Sequence, residues 1–217
     1  MYSQRPNLIL GFHGCDEAVR DQLLVQPNKY KISKETFDWL GHGIYFWENN
    51  YARALEWAID KKKRNPSIKP SVVGAIILLG NCCDLTDKVY IDIVKSYYHK
   101  LRNDYLRMDQ ALPVNKNLKD SKDKLLRELD CTLLEYLHNN QLAQYKHDLL
   151  IKSYSDYPMF DSTRAAFIEG APAYSGAGIF DKSHIQICVR NSNCIKGFFM
   201  PEMNQNGQSR CLRTLNK

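Results

Sequence analysis

The chain has 217 residues, of which 44% are hydrophobic and 25% are charged, so it can build a core and is not a disordered chain. Its formal net charge of +6 permits a nucleic-acid partner without demanding one. The longest apolar run, at 72–80, is far shorter than the ~20 residues of a membrane helix, so no membrane partner is expected.

The seven cysteines are an odd number and form no Cys-x-x-Cys pair. This pattern is typical of free thiols in a reducing compartment and disfavours a structural zinc site. The N-terminal residues lack the apolar core and the small-residue cleavage site of a signal peptide. We therefore expect a cytoplasmic protein, with secretion by a leaderless route left open.

The first 63 residues predict two strand–helix pairs. An apolar run at 7–14 that ends on a glycine is typical of a strand leading into a turn. Asp16 fits the N-cap position of a short helix over 16–25. A glycine turn then enters an aromatic, β-branched stretch at 41–47, and apolar residues at helical spacing predict a helix over 51–63.

The remainder predicts a buried central strand at 72–80, followed by a change of pattern. Apolar residues recur at helical spacing in two segments between 84 and 163, and a polar loop at 115–124 separates them. We interpret this region as a helical insertion into a chain otherwise rich in strands. The C-terminal part predicts three strands, at 165–169, 184–189 and 195–200, and a glycine-rich loop at 171–181.

Several common catalytic motifs are absent from the sequence. It has no glycine-rich dinucleotide loop, no phosphate loop and no Gly-x-Ser-x-Gly turn, and its six histidines lack close metal-ligand spacing. A Rossmann enzyme, a phosphate-loop NTPase and a simple zinc hydrolase are therefore not expected, nor is a bound metal.

Three short segments remain, each on a different predicted strand. They are Phe12-His13-Gly14-Cys15, Gly41-His42-Gly43-Ile44-Tyr45-Phe46 and His184-Ile185-Gln186-Ile187. In order and spacing they resemble the ADP-ribosyltransferases of the diphtheria-toxin and poly(ADP-ribose) polymerase type, whose signature is His, Tyr and Glu on separate strands. The second segment, with the helix that follows it, is similar to a bacterial branch of that fold. The resemblance does not cover the helical insertion.

The resemblance implies an α+β fold with NAD as substrate. It predicts a split β-sandwich of two small sheets with flanking helices, and NAD in the cleft between the sheets. The whole chain, 1–217, would be a single domain with a helical insertion at about 84–163.

Cleavage of the nicotinamide–ribose bond passes through an oxocarbenium-like state. Gly14 has no Cβ, so its backbone can approach the nicotinamide carboxamide closely. Tyr45 and Trp57 are expected to sandwich the nicotinamide ring, and the resemblance gives His13 a hydrogen bond to the adenosine ribose. The full set of expected NAD-binding residues is His13, Gly14, Cys15, Tyr45, Arg53, Ala54 and Trp57.

Two of these residues have alternative interpretations. His13 can be a core histidine whose ring is capped by a backbone carbonyl. Arg53 can contact a pyrophosphate, because a guanidinium suits bidentate phosphate binding, or it can pair with a nearby acid at the surface.

Gln186 stands where the family has its glutamate. A neutral amide supplies no negative charge, and losing one preorganised electrostatic contact can cost ~3–4 kcal/mol of barrier. The reaction is then slow, or another carboxylate helps, or the site only binds. Glu169, predicted to close a strand, is the candidate carboxylate, with a solvated strand end as the alternative. The expected catalytic residues are His13, Tyr45, Glu169 and Gln186.

The family places target recognition in the loop before the third motif, here 171–183, where Tyr174 and Phe180 are the expected exposed aromatics. The sequence thus predicts a mono-ADP-ribosyltransferase with a protein or nucleic-acid acceptor, as a bacterial toxin or defence effector. A toxin would imply an antitoxin or immunity protein. The missing glutamate disfavours polymer synthesis.

Three alternatives stay open. An NAD glycohydrolase would use water as the acceptor, and a binding module would hold NAD or ADP-ribose without cleaving it. A related transferase that removes a 2′-phosphate from tRNA would need an Arg-rich phosphate site, which the spacing does not show.

Overall fold

The protein has an α+β fold, as expected, in a computed structural model that describes residues 8–117, 126–156 and 159–202. The helices are α1 Glu17–Val25, α2 Tyr51–Arg64, α3 Lys88–Arg107 and α4 Glu128–Lys152. The strands are β1 Leu8–Asp16, β2 Ile44–Glu48, β3 Pro70–Leu78, β4 Cys82–Asp84, β5 Asn115–Lys116, β6 Leu126–Arg127, β7 Ser162–Phe167, β8 His184–Val189 and β9 Ile195–Phe199.

Where two small sheets were expected, seven strands form one sheet in the order β4-β7-β8-β2-β1-β3-β9, in which β4 and β7 are parallel and all other neighbours are antiparallel. The two halves of the sheet meet between β1 and β2, where only Gly11–Glu48 and Phe12–Trp47 are paired. On its other side β1 pairs with β3 along its whole length. The halves of the sheet therefore share a narrow junction and diverge beyond it.

Helices α1 and α2 begin where a side chain replaces the missing backbone acceptor. The Asp16 carboxylate accepts the N–H of Ala18, at 3.1 Å, and the Asn50 side chain accepts the N–H of Arg53, at 3.1 Å. Helix α2 ends in a run of basic residues, which suits the negative end of the helix dipole.

The strand register separates two layers of side chains. Phe46, Ile77 and Ile187 are fully buried on one face, in the largest core cluster. Trp47 lies on the other face, in a cluster with Ala54 of α2. Because Trp47 is paired with Gln186 of β8, the side chain of Gln186 shares this second face.

Some predicted bounds differ from the structure. Strand β7 begins at Ser162 and ends at Phe167, so Glu169 lies beyond the strand and does not close it. The predicted loop at 115–124 begins with β5, which pairs with β6, and its residues 118–124 lie outside the described part. Strand β4, next to β7, was not predicted.

None of the helices in the described ranges combines the length and the apolar character needed to cross a bilayer. The six cysteines in these ranges are free thiols, as expected, and Cys211 lies outside them.

Candidate active site

The first two motifs flank the gap where β1 and β2 diverge. The N–H of Asn49 donates to the carbonyl of Leu10, at 2.9 Å, so the backbone groups of Leu10 face β2. Backbone direction alternates along a strand, so the N–H and C=O of Gly14 face the same side. The pairing with β2 ends at Phe12, and the peptide groups of Gly14 are therefore directed into the gap.

His13 bridges this gap. Its Nδ1 lies 2.8 Å from the carbonyl oxygen of Tyr45, and its ring meets that of Phe46 edge-on. A carbonyl only accepts, so Nδ1 carries the hydrogen and Nε2 is left with a lone pair. Burial lowers the pKa of His13, which keeps the ring neutral. The alternative interpretation of His13, a ring capped by a backbone carbonyl, is thus correct. Nε2 of the half-buried ring can still accept a hydrogen bond from a hydroxyl group.

Gly14 and Cys15 face different surroundings. A Cβ on Gly14 would lie 2.1 Å from the carbonyl oxygen of Ala54, so α2 packs directly on this glycine. The Cys15 side chain is buried on the opposite side of β1, beside Leu23 and Val73. Burial raises the pKa of the Cys15 thiol to about 11. Gly14 and Ala54 are therefore brought together, while the Cys15 side chain belongs to the core.

The Tyr45 hydroxyl is occupied by the backbone of the preceding turn. It accepts the N–H of Leu40 at 3.0 Å and donates to the carbonyl of Gly41 at 2.8 Å. Burial raises the pKa of Tyr45 well above its usual value. The hydroxyl therefore holds the glycine turn in place, and the partly buried Tyr45 ring packs against a core cluster that includes Leu134 and Cys188.

Trp57 lies on α2 and packs against Trp47, with ring centroids 5.6 Å apart. The ammonium group of Lys61 sits 4.7 Å from the centroid of the Trp57 ring. One face of the indole is therefore already covered by a cation. Trp47 was not among the predicted site residues, although its pairing with Gln186 places it in this layer.

Gln186 is held by Trp39, a residue outside the three sequence motifs. The indole N–H of Trp39 donates to Oε1 of Gln186 at 2.6 Å. The Trp39 ring meets Phe167 edge-on, and the guanidinium of Arg127 lies over both rings. Trp39 lies in an irregular segment without periodicity, and no local signal connects it to a strand so distant in the chain.

Arg53 is buried and bound to two carboxylates. One nitrogen of its guanidinium lies 2.6 Å from Glu56 and another lies 2.9 Å from Glu169. Arg53 does pair with acids, but the expected position at the surface was wrong, because its side chain is only 9% exposed. Arg53 is thus not free for a pyrophosphate, and the charge of Glu169 is compensated by its partner.

Beside this pair, three buried polar atoms have no hydrogen-bond partner among the described residues: Nε of Arg53, Nε1 of Trp47 and Nε2 of His184. Nδ1 of His184 lies 2.7 Å from the carbonyl of Lys182, and burial lowers the pKa of His184 to about 4. Between α2 and the sheet, these three nitrogen atoms are therefore available to hydrogen-bond a ligand.

In the predicted target-recognition loop, Tyr174 is 64% exposed, as expected. Phe180 is only partly exposed, which corrects the expectation of an exposed ring. An isolated bridge between Pro172 and Phe180 folds the loop back on itself and partly covers this residue.

Two cavities lie elsewhere, against the helical insertion. One, of about 300 Å³, is lined by residues that include Val94, Tyr98 and Leu133. The other, of about 370 Å³, is bordered by His42 and Cys131, whose Nε2 and Sγ are 3.8 Å apart. Burial raises the pKa of Cys131 to about 12, so this thiol stays protonated and is a poor nucleophile.

No group of three or more His, Cys, Asp or Glu side chains in ranges 8–117, 126–156 and 159–202 has the arrangement of a metal site. No protein-family model, curated protein or solved structure matches this chain.

Proposed function

We propose that the chain binds NAD in the gap between β1 and β2 and cleaves its nicotinamide–ribose bond, with an ADP-ribosyltransferase-like fold whose seven-stranded sheet splits between these two strands. The observation that carries the proposal is the divergence of β1 from β2 after Phe12. It directs the peptide groups of Gly14 into the gap and leaves His13 bound to the carbonyl of Tyr45 across it. The three segments that carry the resemblance thus lie on adjacent strands.

The chemistry follows from these groups. A carboxamide needs one acceptor and one donor, which the N–H and C=O of Gly14 supply in one plane. Nε2 of the neutral His13 accepts a hydrogen bond from a ribose hydroxyl, and the ring of Tyr45 contacts the nicotinamide ring. Gln186, two strands from β1, faces the ribose. ADP-ribose then passes to a protein or nucleic-acid acceptor, and a toxin or defence role would give the chain a neutralising partner.

One observation favours a second candidate, a module that binds NAD without cleaving it. The oxygen of Gln186 already accepts a hydrogen bond from Trp39, and Glu169 is paired with Arg53. Neither residue supplies an uncompensated negative charge to stabilise an oxocarbenium. The chain would therefore cleave NAD slowly or bind it without cleavage.

The experiment incubates the purified chain with adenylate-labelled NAD in a cell lysate and follows both label and free nicotinamide. Label that is removed by nuclease identifies a nucleic-acid acceptor, and label that is removed by protease identifies a protein acceptor. Nicotinamide release without label means a glycohydrolase. If NAD binds and no nicotinamide appears, the binding module is correct, and if NAD does not bind, the proposal fails.

A further inference from the structure

The hydrogen bond between Trp39 and Gln186 fixes the orientation of the Gln186 amide. An indole N–H is a donor and never an acceptor, so the atom that faces Trp39 must be the carboxamide oxygen. Among the described residues, Trp39 is the hydrogen-bond partner of this side chain. The NH₂ group of Gln186 is therefore the part that is left for a ligand.

Trp39 is itself held in place by an aromatic ring and a cation. Its ring centroid lies 5.0 Å from that of Phe167, at an interplanar angle of 65°. The guanidinium carbon of Arg127 lies 4.7 Å from the Trp39 centroid and 4.2 Å from the Phe167 centroid. Cations over aromatic faces are attracted by the ring quadrupole. Arg127 is the last residue of β6, so a residue of the helical insertion holds the ring that holds Gln186.

We propose that Trp39 is the positioning residue of Gln186 and that it makes Gln186 a hydrogen-bond donor towards the nicotinamide ribose. This proposal rests on the NAD site proposed above. In the resembled family, the glutamate accepts a hydrogen bond from a ribose hydroxyl. The NH₂ group of Gln186, whose orientation Trp39 fixes, instead donates a hydrogen bond to the oxygen of that hydroxyl. Donation orients the ribose without supplying negative charge to it.

The first test is Trp39→Phe, which keeps an aromatic ring beside Phe167 and under Arg127 but removes the N–H. Rates of nicotinamide release are measured over a range of NAD concentrations. We expect kcat to fall about tenfold, because the amide of Gln186 is then free to rotate, and KM to change less than about twofold. Tyr136→Phe, which removes a hydrogen bond to Asp104 in the insertion, is the matched control and should leave both constants unchanged.

The second test does not depend on activity. The chain has three tryptophans, and the Trp39→Phe variant identifies the indole N–H signal of Trp39 in a heteronuclear NMR spectrum. Gln186→Ala should shift this signal and speed its exchange with solvent about tenfold, because the acceptor is gone. The signal of Trp57 should not move.

Unchanged kcat in Trp39→Phe, or an indole signal that Gln186→Ala does not affect, would overturn the positioning role. A wild-type chain that binds no NAD would defeat the proposed function, and the donor role towards ribose with it. The indole exchange would then decide by itself whether Trp39 holds Gln186.

Discussion

Gln186 can be converted into the residue that the resembled family carries at this position. In Gln186→Glu, one carboxylate oxygen can accept the N–H of Trp39 while the other accepts a ribose hydroxyl and supplies the missing charge. Such a contact is worth ~3–4 kcal/mol of barrier, so we expect kcat for nicotinamide release to rise at least about tenfold. Gln110→Glu, an exposed change beyond α3, is the control for added charge. A folded Gln186→Glu variant with an unchanged or lower kcat would contradict this role.

Glu169 is the carboxylate that the sequence suggested as a substitute, but its ion pair with the buried Arg53 favours a structural role. Removing one partner of a buried pair leaves the other charge uncompensated. We expect Glu169→Gln to lower the free energy of unfolding by about 1–3 kcal/mol and to change kcat less than about twofold.

Urea denaturation and nicotinamide release measure the two effects separately. Glu56→Gln is the matched control, because Glu56 binds the same arginine from a side chain that is 52% exposed, and it should cost less stability. A large loss of kcat at unchanged stability would instead make Glu169 the source of the missing charge.

At the scale of elements, the contact between β1 and α2 depends on Gly14. A methyl group there would meet the carbonyl of Ala54, which is backbone and cannot rotate away, so α2 must shift. We expect Gly14→Ala to lower the free energy of unfolding by about 1–3 kcal/mol. The control is Gly197→Ala in β9, where an added Cβ meets nothing within 4 Å. Equal stability of the two variants in urea denaturation would show that α2 does not press on β1.

Elements with local signals could be predicted from the sequence. Strand β8 has the predicted bounds, and α1 begins at the predicted cap because the signal, Asp16, lies beside the helix that it stabilises. Strand β7 was predicted to begin three residues too late because Ser162, Thr163 and Arg164 are polar. They are nevertheless buried: the Ser162 hydroxyl donates to the carbonyl of Leu79, and Arg164 pairs with two carboxylates.

In the candidate site, too, residues within sequence motifs could be predicted, and residues linked only by long-range contacts could not. His13, Gly14, Tyr45 and Gln186 follow from motif order, and the structure places them on adjacent strands. Trp39 does not follow, because its only link to the site is a contact with a residue 147 positions away. The pairing of Arg53 with Glu169 spans 116 positions and was likewise invisible locally.

Across the whole molecule, the buried His138 and His184 and the half-buried His13 make stability depend on pH. Burial lowers the pKa of His13, of His138 to about 3 and of His184 to about 4, against 6.5 for an unperturbed histidine. Below pH 6.5 the unfolded chain therefore binds protons that the folded chain does not. We expect stability to be fully present above this pH and to fall as the pH drops towards 4.

Well below pH 6.5, His138 and His184 each contribute up to about 1.4 kcal/mol per pH unit, and His13 adds to the loss in the same direction. Urea denaturation at pH 7 and at pH 5 measures the loss. His138→Gln should reduce the slope by one proton, and His147→Gln, an exposed change on α4, should not. Equal stability at the two pH values would show that these rings are protonated in the folded protein.

Nicotinamide release from NAD by the purified chain, measured together with NAD binding, tests most directly whether the gap between β1 and β2 binds and cleaves NAD. We expect slow release by the wild-type chain, and loss of release in a folded His13→Ala variant, which lacks the side chain that bridges the gap. Binding without release would assign the fold to a non-catalytic module. A wild-type chain that neither binds NAD nor releases nicotinamide would show that the gap between β1 and β2 is not an NAD site.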